Sequence, residues 1–167
     1  MSRAERPGAK ASGYRRILWP TDLSTLAGAA LPHALRLAED SKAELVILHV
    51  LPSAGTYGAL ETSGAIWDRL DREQRAWAKA ELRRLAEQVK AQAPALRIHC
   101  LLRQGVPFDQ ILGVARRLRC DLIVLATHGR TGLRHMVLGS VAENVVRRAP
   151  CPVLSVRPAS LAAPGSR

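Results

Sequence analysis

The sequence predicts one α/β domain, a doubly wound parallel sheet of five strands with helices on both faces. The first observation behind this prediction is alternation, because apolar runs of strand length are separated by segments whose apolar residues recur at helical spacing. The second is that the runs are apolar nearly throughout, which is typical of strands covered on both faces of a parallel sheet. A chain of 167 residues has the length of one such domain.

In the first half of the chain, strands are predicted over Arg16–Pro20 and Glu44–Leu51. Ser24 is the expected N-cap of the helix between them, and Pro32 lies inside that helix, where we expect a kink. A long helix follows over about 66–91. Its inner face is predicted to carry Ala78, Leu82, Leu85 and Val89, and Trp67 and Trp77 are interpreted as packing residues rather than as ligand platforms.

In the second half, strands are predicted over 97–105, Leu122–Ala126 and 152–156. Pro107 marks the first turn of a helix that ends near residue 118, and a short helix is expected over Ser140–Arg148. Residues 14–158 form the predicted domain. Polar composition rich in small residues predicts a disordered basic arm over 1–13 and a flexible tail over 159–167.

The expected strand order is 3-2-1-4-5, a Rossmann-like arrangement, because crossovers between parallel strands are right-handed and the chain starts at the centre of the sheet. Ligands of such sheets bind beyond the carboxyl ends of the strands, where the order reverses. That point lies between strands one and four. The residues that end these two strands are Pro20, Thr21 and Asp22 on one side and Ala126 on the other.

The segment after strand four has the composition of an anion-binding loop. Gly129 permits a tight turn with inward backbone N–H groups, and Gly139-Ser140 opens a helix whose first amides can donate. Arg130 adds positive charge, and His128 is the histidine that lies beside the expected anion. Phosphate is therefore the predicted group.

The same residues allow a purely structural interpretation. Ser140 and Glu143 have the spacing of a capping box, so Gly139 and Ser140 could do no more than start a helix. Asp22, across the crevice, is an acceptor that suits a ribose hydroxyl or a base amine. The sequence has no P-loop motif, no GxGxxG after the first strand, no GxSxG and no zinc spacing, so we assign no catalytic residue and no metal ligand.

Charge and cysteine content restrict the partners and the compartment. The net charge is +11, but the basic residues are scattered without interleaved aromatics, which disfavours nucleic acid. No apolar run approaches the ~20 residues of a membrane span. The three cysteines are odd in number and lack Cys-x-x-Cys spacing, which favours buried, reduced thiols in a cytoplasmic protein.

These residues resemble the universal stress protein family, of the UspA type. The resemblance rests on five stretches within 15–157: ILWPTDLS, ELVILHVL, GVP, CDLIVLATHGRTGL and LGSVAENVVRRAPCPVLSV. ATP-binding members of that family carry Gly, two residues, Gly, nine residues and then Gly-Ser or Gly-Thr. Gly129, Gly139 and Ser140 match this pattern, whereas Ala126 replaces the first glycine and brings a methyl group to a place where backbone meets ligand.

The resemblance implies a role for each of several residues. The adenine and ribose of ATP would be framed by Pro20, Thr21, Asp22 and Val50. The base and sugar would be lined by Leu125, Ala126 and Gly129. The phosphates would be held by Gly139, Ser140 and Val141, with Mg²⁺ or Mn²⁺ as an accompanying ion. The resemblance also implies a homodimer joined along the last strand through Val153, Leu154 and Val156.

The expected function is therefore that of an ATP-binding regulatory protein of the stress response, which binds nucleotide rather than turning it over rapidly. At most slow hydrolysis is expected, because no carboxylate near the loop is suited to activate water and Glu143 is assigned to the cap. The expected partner, besides a second copy, is an unidentified regulatory protein. The alternative is a nucleotide-free dimeric interaction module of the same family, in which Ala126 blocks the site.

Overall fold

The computed structural model describes residues 13–53, 64–127 and 139–158. The predicted arm over 1–13, apart from Gly13, and the predicted tail over 159–167 lie outside this part of the chain. Five strands form one sheet: β1 (Arg16–Pro20), β2 (Glu44–Leu51), β3 (Arg97–Gln104), β4 (Leu122–Ala126) and β5 (Val153–Val156). Every pairing is parallel and the order is β3-β2-β1-β4-β5, which confirms the predicted fold class and strand order.

The helices are α1 (Thr25–Gly28), α2 (Leu31–Ser41), α3 (Gly64–Gln92), α4 (Pro107–Arg117) and α5 (Ser140–Arg148). The prediction of a single helix kinked at Pro32 is wrong. The side chain of Ser24 caps α1 as predicted, accepting from the Ala27 amide at 3.1 Å, but α1 ends after one turn. Pro32 then lies in the first turn of α2, where a missing N–H breaks no helical hydrogen bond.

The core consists of two layers, one on each face of the sheet. Along β1, Ile17 and Trp19 belong to the layer under α2 and α3, and Leu18 belongs to the layer under α4 and α5. Side chains of a strand alternate between faces, so a strand in the middle of the sheet must be apolar at every position. The predicted inner face of α3 is confirmed, since Ala78, Leu82 and Val89 are buried and Leu85 packs against the core layer that contains Leu82 and Val89.

The amino-terminal half of α3 extends past the sheet. A helix of 29 residues is ~44 Å long, whereas the eight residues of β3 span ~26 Å. No side chain between Ile66 and Trp77 is buried, and the first buried residue among the described side chains of α3 is Ala78. The prediction of Trp77 as a packing residue is therefore wrong, because its side chain is 49% exposed.

At the carboxyl ends of the strands, the pairings do not all end at the same level, and this difference leaves a gap between β1 and β4. β1 pairs with β2 as far as Pro20 opposite Leu48. β4 pairs with β5 as far as Ala126 opposite Val156, yet β1 and β4 pair only as far as Leu18 opposite Ile123. The carboxyl ends of β1 and β4 therefore separate.

Within the described ranges, no helix is both long and apolar enough to cross a membrane.

Candidate ligand-binding site

A cavity of about 760 Å³ occupies the gap between the carboxyl ends of β1 and β4. This volume lies in the range of small-molecule and cofactor sites. Nine of the predicted site residues line the cavity: Pro20, Thr21, Asp22, Val50, Leu125, Ala126, Gly139, Ser140 and Val141. The other three, His128, Gly129 and Arg130, lie outside the described residues, so their roles stay predictions.

The two helical layers supply cavity walls that the sequence did not reveal. Gln74 and Trp77 come from α3, and Pro107 and Ile111 come from α4. Pro107 follows the carboxyl end of β3 and begins α4, so the sequence could have predicted that it lies beside the cavity. Trp77 gave no such signal, because only the tertiary packing of α3 brings its indole to the cavity.

The end of β1 is a turn stabilised by its own side chains. The Thr21 hydroxyl oxygen accepts from the Leu23 amide and the Asp22 carboxylate accepts from the Ser24 amide, both at 3.0 Å. Leu23 has a φ of 64°, a left-handed conformation that non-glycine residues rarely adopt, and the two hydrogen bonds hold it there. The turn thus fixes the direction of the Asp22 carboxylate at the cavity.

His49 is a buried, hydrogen-bonded residue that also lines the cavity. Its side chain is 3% exposed, and Nδ1 lies 2.9 Å from the carbonyl oxygen of Thr21. A carbonyl oxygen can only accept, so Nδ1 carries the hydrogen and donates it. This hydrogen bond engages the carbonyl of the first residue after β1, which would otherwise be available to the amide of Val50 in β2.

The backbone N–H and C=O of Val50 face the cavity. In a parallel strand, alternate residues direct their N–H and C=O toward the same neighbouring strand. The carbonyl of Leu48 accepts from the Thr21 amide at 2.8 Å, so the backbone groups of Val50, two residues later, point the same way. The chain of β1 has turned away by then. An adjacent donor and acceptor therefore face the cavity.

The first turn of α5 forms the opposite end of the cavity, and its cap differs from the prediction. Gly139, not Ser140, is the N-cap, and no side chain caps the helix. The predicted capping box is therefore wrong, because the Glu143 carboxylate instead pairs with Arg147 at 2.9 Å. The amides of Ser140, Val141 and Ala142 occupy the first turn, where no acceptor within the helix exists.

Gly139 lines the cavity without offering its amide to a ligand. Its amide donates to the carbonyl of Thr127 at 2.7 Å, so this N–H is not available to a ligand. Its φ of −69° is accessible to any residue, and the value of glycine here is its small size beside the cavity. The helix dipole adds partial positive charge at this end, so the three following amides are suited to an anion.

The charged groups of the cavity are few. Among the described residues, Asp22 is the only carboxylate that lines it, and no group of three or more His, Cys, Asp or Glu is placed to hold a metal ion.

The three cysteines lie outside the cavity and are thiols without a disulfide partner. Burial raises the pKa of Cys120 to about 12 and raises those of Cys100 and Cys151, which keeps all three thiols protonated at neutral pH.

Fold and cavity together define a doubly wound α/β domain with a ligand cleft at the switch point of its sheet. Comparison with known proteins gives the family. The family model described as "Universal stress protein family" matches residues 13–157, and the chain belongs to this family. The resemblance stated from the sequence is thereby confirmed.

Individual relatives agree with this assignment. The chain is 34% identical to a universal stress protein of Methanocaldococcus jannaschii, covering 86% of this chain and 82% of the relative. UspA of Lactobacillus plantarum is similar in structure, with a TM-score of 0.75 and 30% identity over 86% of this chain and 98% of that chain. A universal stress protein solved in complex with cAMP gives a TM-score of 0.63 and 28% identity over 89% of this chain and 100% of that chain.

Proposed function

We propose that this chain is a stress-response regulatory protein that binds an adenine nucleotide, with ATP as the expected ligand. The observation that carries the proposal is the cavity at the switch point, which has complementary polar groups at its two ends. The cAMP complex of the universal stress protein described above supports a nucleotide of the same base class.

The base is assigned to the end of the cavity at β2. Adenine has an amine donor beside ring-nitrogen acceptors, and Val50 offers a matching carbonyl acceptor and N–H donor. Asp22 lies at the end of the neighbouring strand and can accept from a ribose hydroxyl. Leu125 and Ala126 supply apolar surface between these groups and α5.

The phosphates are assigned to the first turn of α5. Three backbone amides, those of Ser140, Val141 and Ala142, are directed to one place, and the helix dipole favours negative charge there. A divalent ion would take most of its ligands from phosphate oxygens and water, as Mg²⁺ does beside nucleotides. We therefore propose that Mg²⁺ or Mn²⁺ is bound through phosphate oxygens and water, and we assign no protein residue as its ligand.

We propose binding without rapid turnover. Hydrolysis of a phosphoanhydride needs a group that positions or activates water near the transferred phosphate. Asp22 is assigned to the sugar, and the carboxylate of Glu143 is engaged by Arg147. Slow hydrolysis is the most that this arrangement supports.

We further propose a cytoplasmic homodimer that acts on an unidentified protein partner. β5 is an edge strand, and its residue Leu154 is 36% exposed, so a second copy can pair along this edge. The three unpaired thiols support a reducing compartment. Nucleic acid remains disfavoured as a partner.

Two measurements test the proposed function. Mass spectrometry of small molecules released from the denatured, purified protein is expected to find an adenine nucleotide. Calorimetry on nucleotide-free protein is expected to show saturable binding of ATP with Mg²⁺, and ATP at about a hundred times its Kd should stabilise the fold by roughly 2.7 kcal/mol. If neither shows a nucleotide, the alternative holds, and the protein is a nucleotide-free interaction module.

A further inference from the structure

Trp77 is the residue of the cavity that neither the sequence patterns nor the core packing explains. Its indole is 49% exposed, although Ala78, the next residue of α3, is buried. Among the described residues lining the cavity, it is the only Trp, Tyr or Phe. A half-exposed indole at the rim of a ligand cavity offers a large flat apolar face to whatever enters.

The turn of α3 that precedes Trp77 is held by polar contacts, and Ala78, the next residue, is buried. Gln104, the last residue of β3, donates from Nε2 to Asp71 at 2.8 Å. Arg75 donates from Nε to the same carboxylate at 2.6 Å and also donates to the Gln104 side-chain oxygen. This hydrogen bonding lowers the pKa of Asp71 and keeps the carboxylate charged. The segment of α3 that precedes Trp77 is thus tied to the sheet.

The same contacts show at which end of the cavity the indole lies. Gln104 pairs in register with Leu51, the residue that follows Val50 in β2. The tie between α3 and the sheet is therefore at the carboxyl end of β2, next to Val50, whereas the first turn of α5 belongs to the layer on the opposite face of the sheet. Gln74, which also lines the cavity, lies one turn before Trp77 and continues the same wall.

We propose that the indole of Trp77 is the aromatic platform on which the base of the bound nucleotide packs. This inference rests on the proposed function and names the residue that distinguishes a nucleotide from other phosphate compounds at this site. Val50 recognises the edge of the base through hydrogen bonds, whereas Trp77 recognises its face. Stacking of a base on an aromatic side chain changes affinity about tenfold when the aromatic group is removed.

The test is calorimetric titration of the full chain with ATP and with AMP, in the wild type and three variants. Trp77→Ala is expected to weaken both ligands by about the same factor, near tenfold, because the stack does not involve the phosphates. Trp77→Phe keeps a ring and should stay within about threefold of the wild type. Trp67→Ala, which removes a half-buried indole from the same helix, is the control and should leave both affinities unchanged.

Fluorescence gives a readout that a merely structural role would not change. ATP is expected to alter tryptophan emission in the wild type and in Trp67→Ala, and to leave it unchanged in Trp77→Phe. Wild-type ATP affinity in Trp77→Ala overturns this inference and leaves the proposed function standing. An equal loss in Trp67→Ala also overturns it, because α3 as a whole would then be responsible. A wild type that binds neither nucleotide overturns both the inference and the proposed function.

Discussion

The backbone amide of Gly139 donates to the carbonyl oxygen of Thr127, with 2.7 Å between nitrogen and oxygen. Thr127 directly follows β4, and its own amide donates to the carbonyl of Val156 at 2.8 Å. The start of α5 is therefore tied to the carboxyl end of the sheet. Because of this tie, the free amides of the helix face the cavity, and substitutions at Gly139 can be used to probe them.

Gly139→Asp is expected to change stability and nucleotide affinity in opposite directions. An Asp side chain at this N-cap can accept from first-turn amides and complements the helix dipole, so the free energy of unfolding should rise by about 0.5–1 kcal/mol. The same carboxylate would occupy the amides proposed for phosphate and repel it, so ATP affinity should fall at least about tenfold. Chemical denaturation and calorimetry measure the two effects.

Gly139→Asn separates charge from capping. The amide oxygen of Asn caps a helix about as well as Asp does but carries no charge, so the gain in stability should remain in part and the loss of affinity should be smaller. If Gly139→Asp binds ATP as tightly as the wild type, the phosphates do not lie at α5.

Ala126→Leu tests whether the cavity itself is the binding site. Ala126 lines the cavity and packs partly against the core layer under α2 and α3. A leucine there would fill space proposed for the nucleotide, and ATP affinity should fall at least about tenfold, with a stability change of about 1–3 kcal/mol from overpacking. Calorimetry and thermal melting give both quantities.

Ala126→Gly is the matched variant, and it tests the alternative in which the alanine methyl group blocks the site. It restores the glycine of the family pattern and should lower stability by about 0.5–1 kcal/mol, as glycine does inside a strand. If nucleotide binding appears only in this variant, the natural chain is a nucleotide-free module. Equal ATP affinity in Ala126→Leu and the wild type would place the ligand elsewhere.

Leu154→Lys is expected to convert the proposed homodimer to a monomer. Leu154 is an exposed apolar side chain on an edge strand, and a lysine there adds a charge that would be buried in a paired edge. Light scattering at micromolar concentration measures the mass. Val146→Lys, at a similarly exposed apolar residue of α5, is the control and should remain dimeric. A wild type that is monomeric under these conditions would contradict the proposal.

Cys120 is expected to make the fold less stable as the pH rises above 9. Burial raises the pKa of its thiol from 9.0 to about 12, so the unfolded chain loses this proton before the folded chain does. The folded state then binds more protons than the unfolded state between pH 9 and about 12, and the free energy of unfolding falls across that window. Denaturation of the wild type and of Cys120→Ala at pH 8 to 10.5 measures the difference in slope.

Other groups also titrate in that range, so the comparison of slopes rather than the slope itself is decisive. Cys120→Ala should lose stability less steeply with pH than the wild type. Parallel slopes would mean that the thiol ionises in the folded chain near its ordinary pKa, in contradiction to its burial.

The two ends of the cavity could be predicted from the sequence. The sequence alone placed Pro20, Thr21, Asp22 and Ala126 together, because strand order follows from alternation and handedness, and ligands of such sheets bind where the order reverses. It also predicted that Ser140 begins a helix. These inferences depend on local periodicity and general topological rules, so they needed no knowledge of individual contacts.

Only the tertiary structure decided what each group at the cavity is free to do. The Gly139 amide is engaged by Thr127 across an intervening segment, and Gly139 rather than Ser140 is the helix cap. Trp77 lines the cavity on the part of α3 where Asp71 and Arg75 contact Gln104 of the sheet. Hydrogen bonds between residues distant in sequence leave no periodic signal, so the apolar pattern determined the sheet and its switch point, whereas long-range contacts determined which donors and surfaces face a ligand.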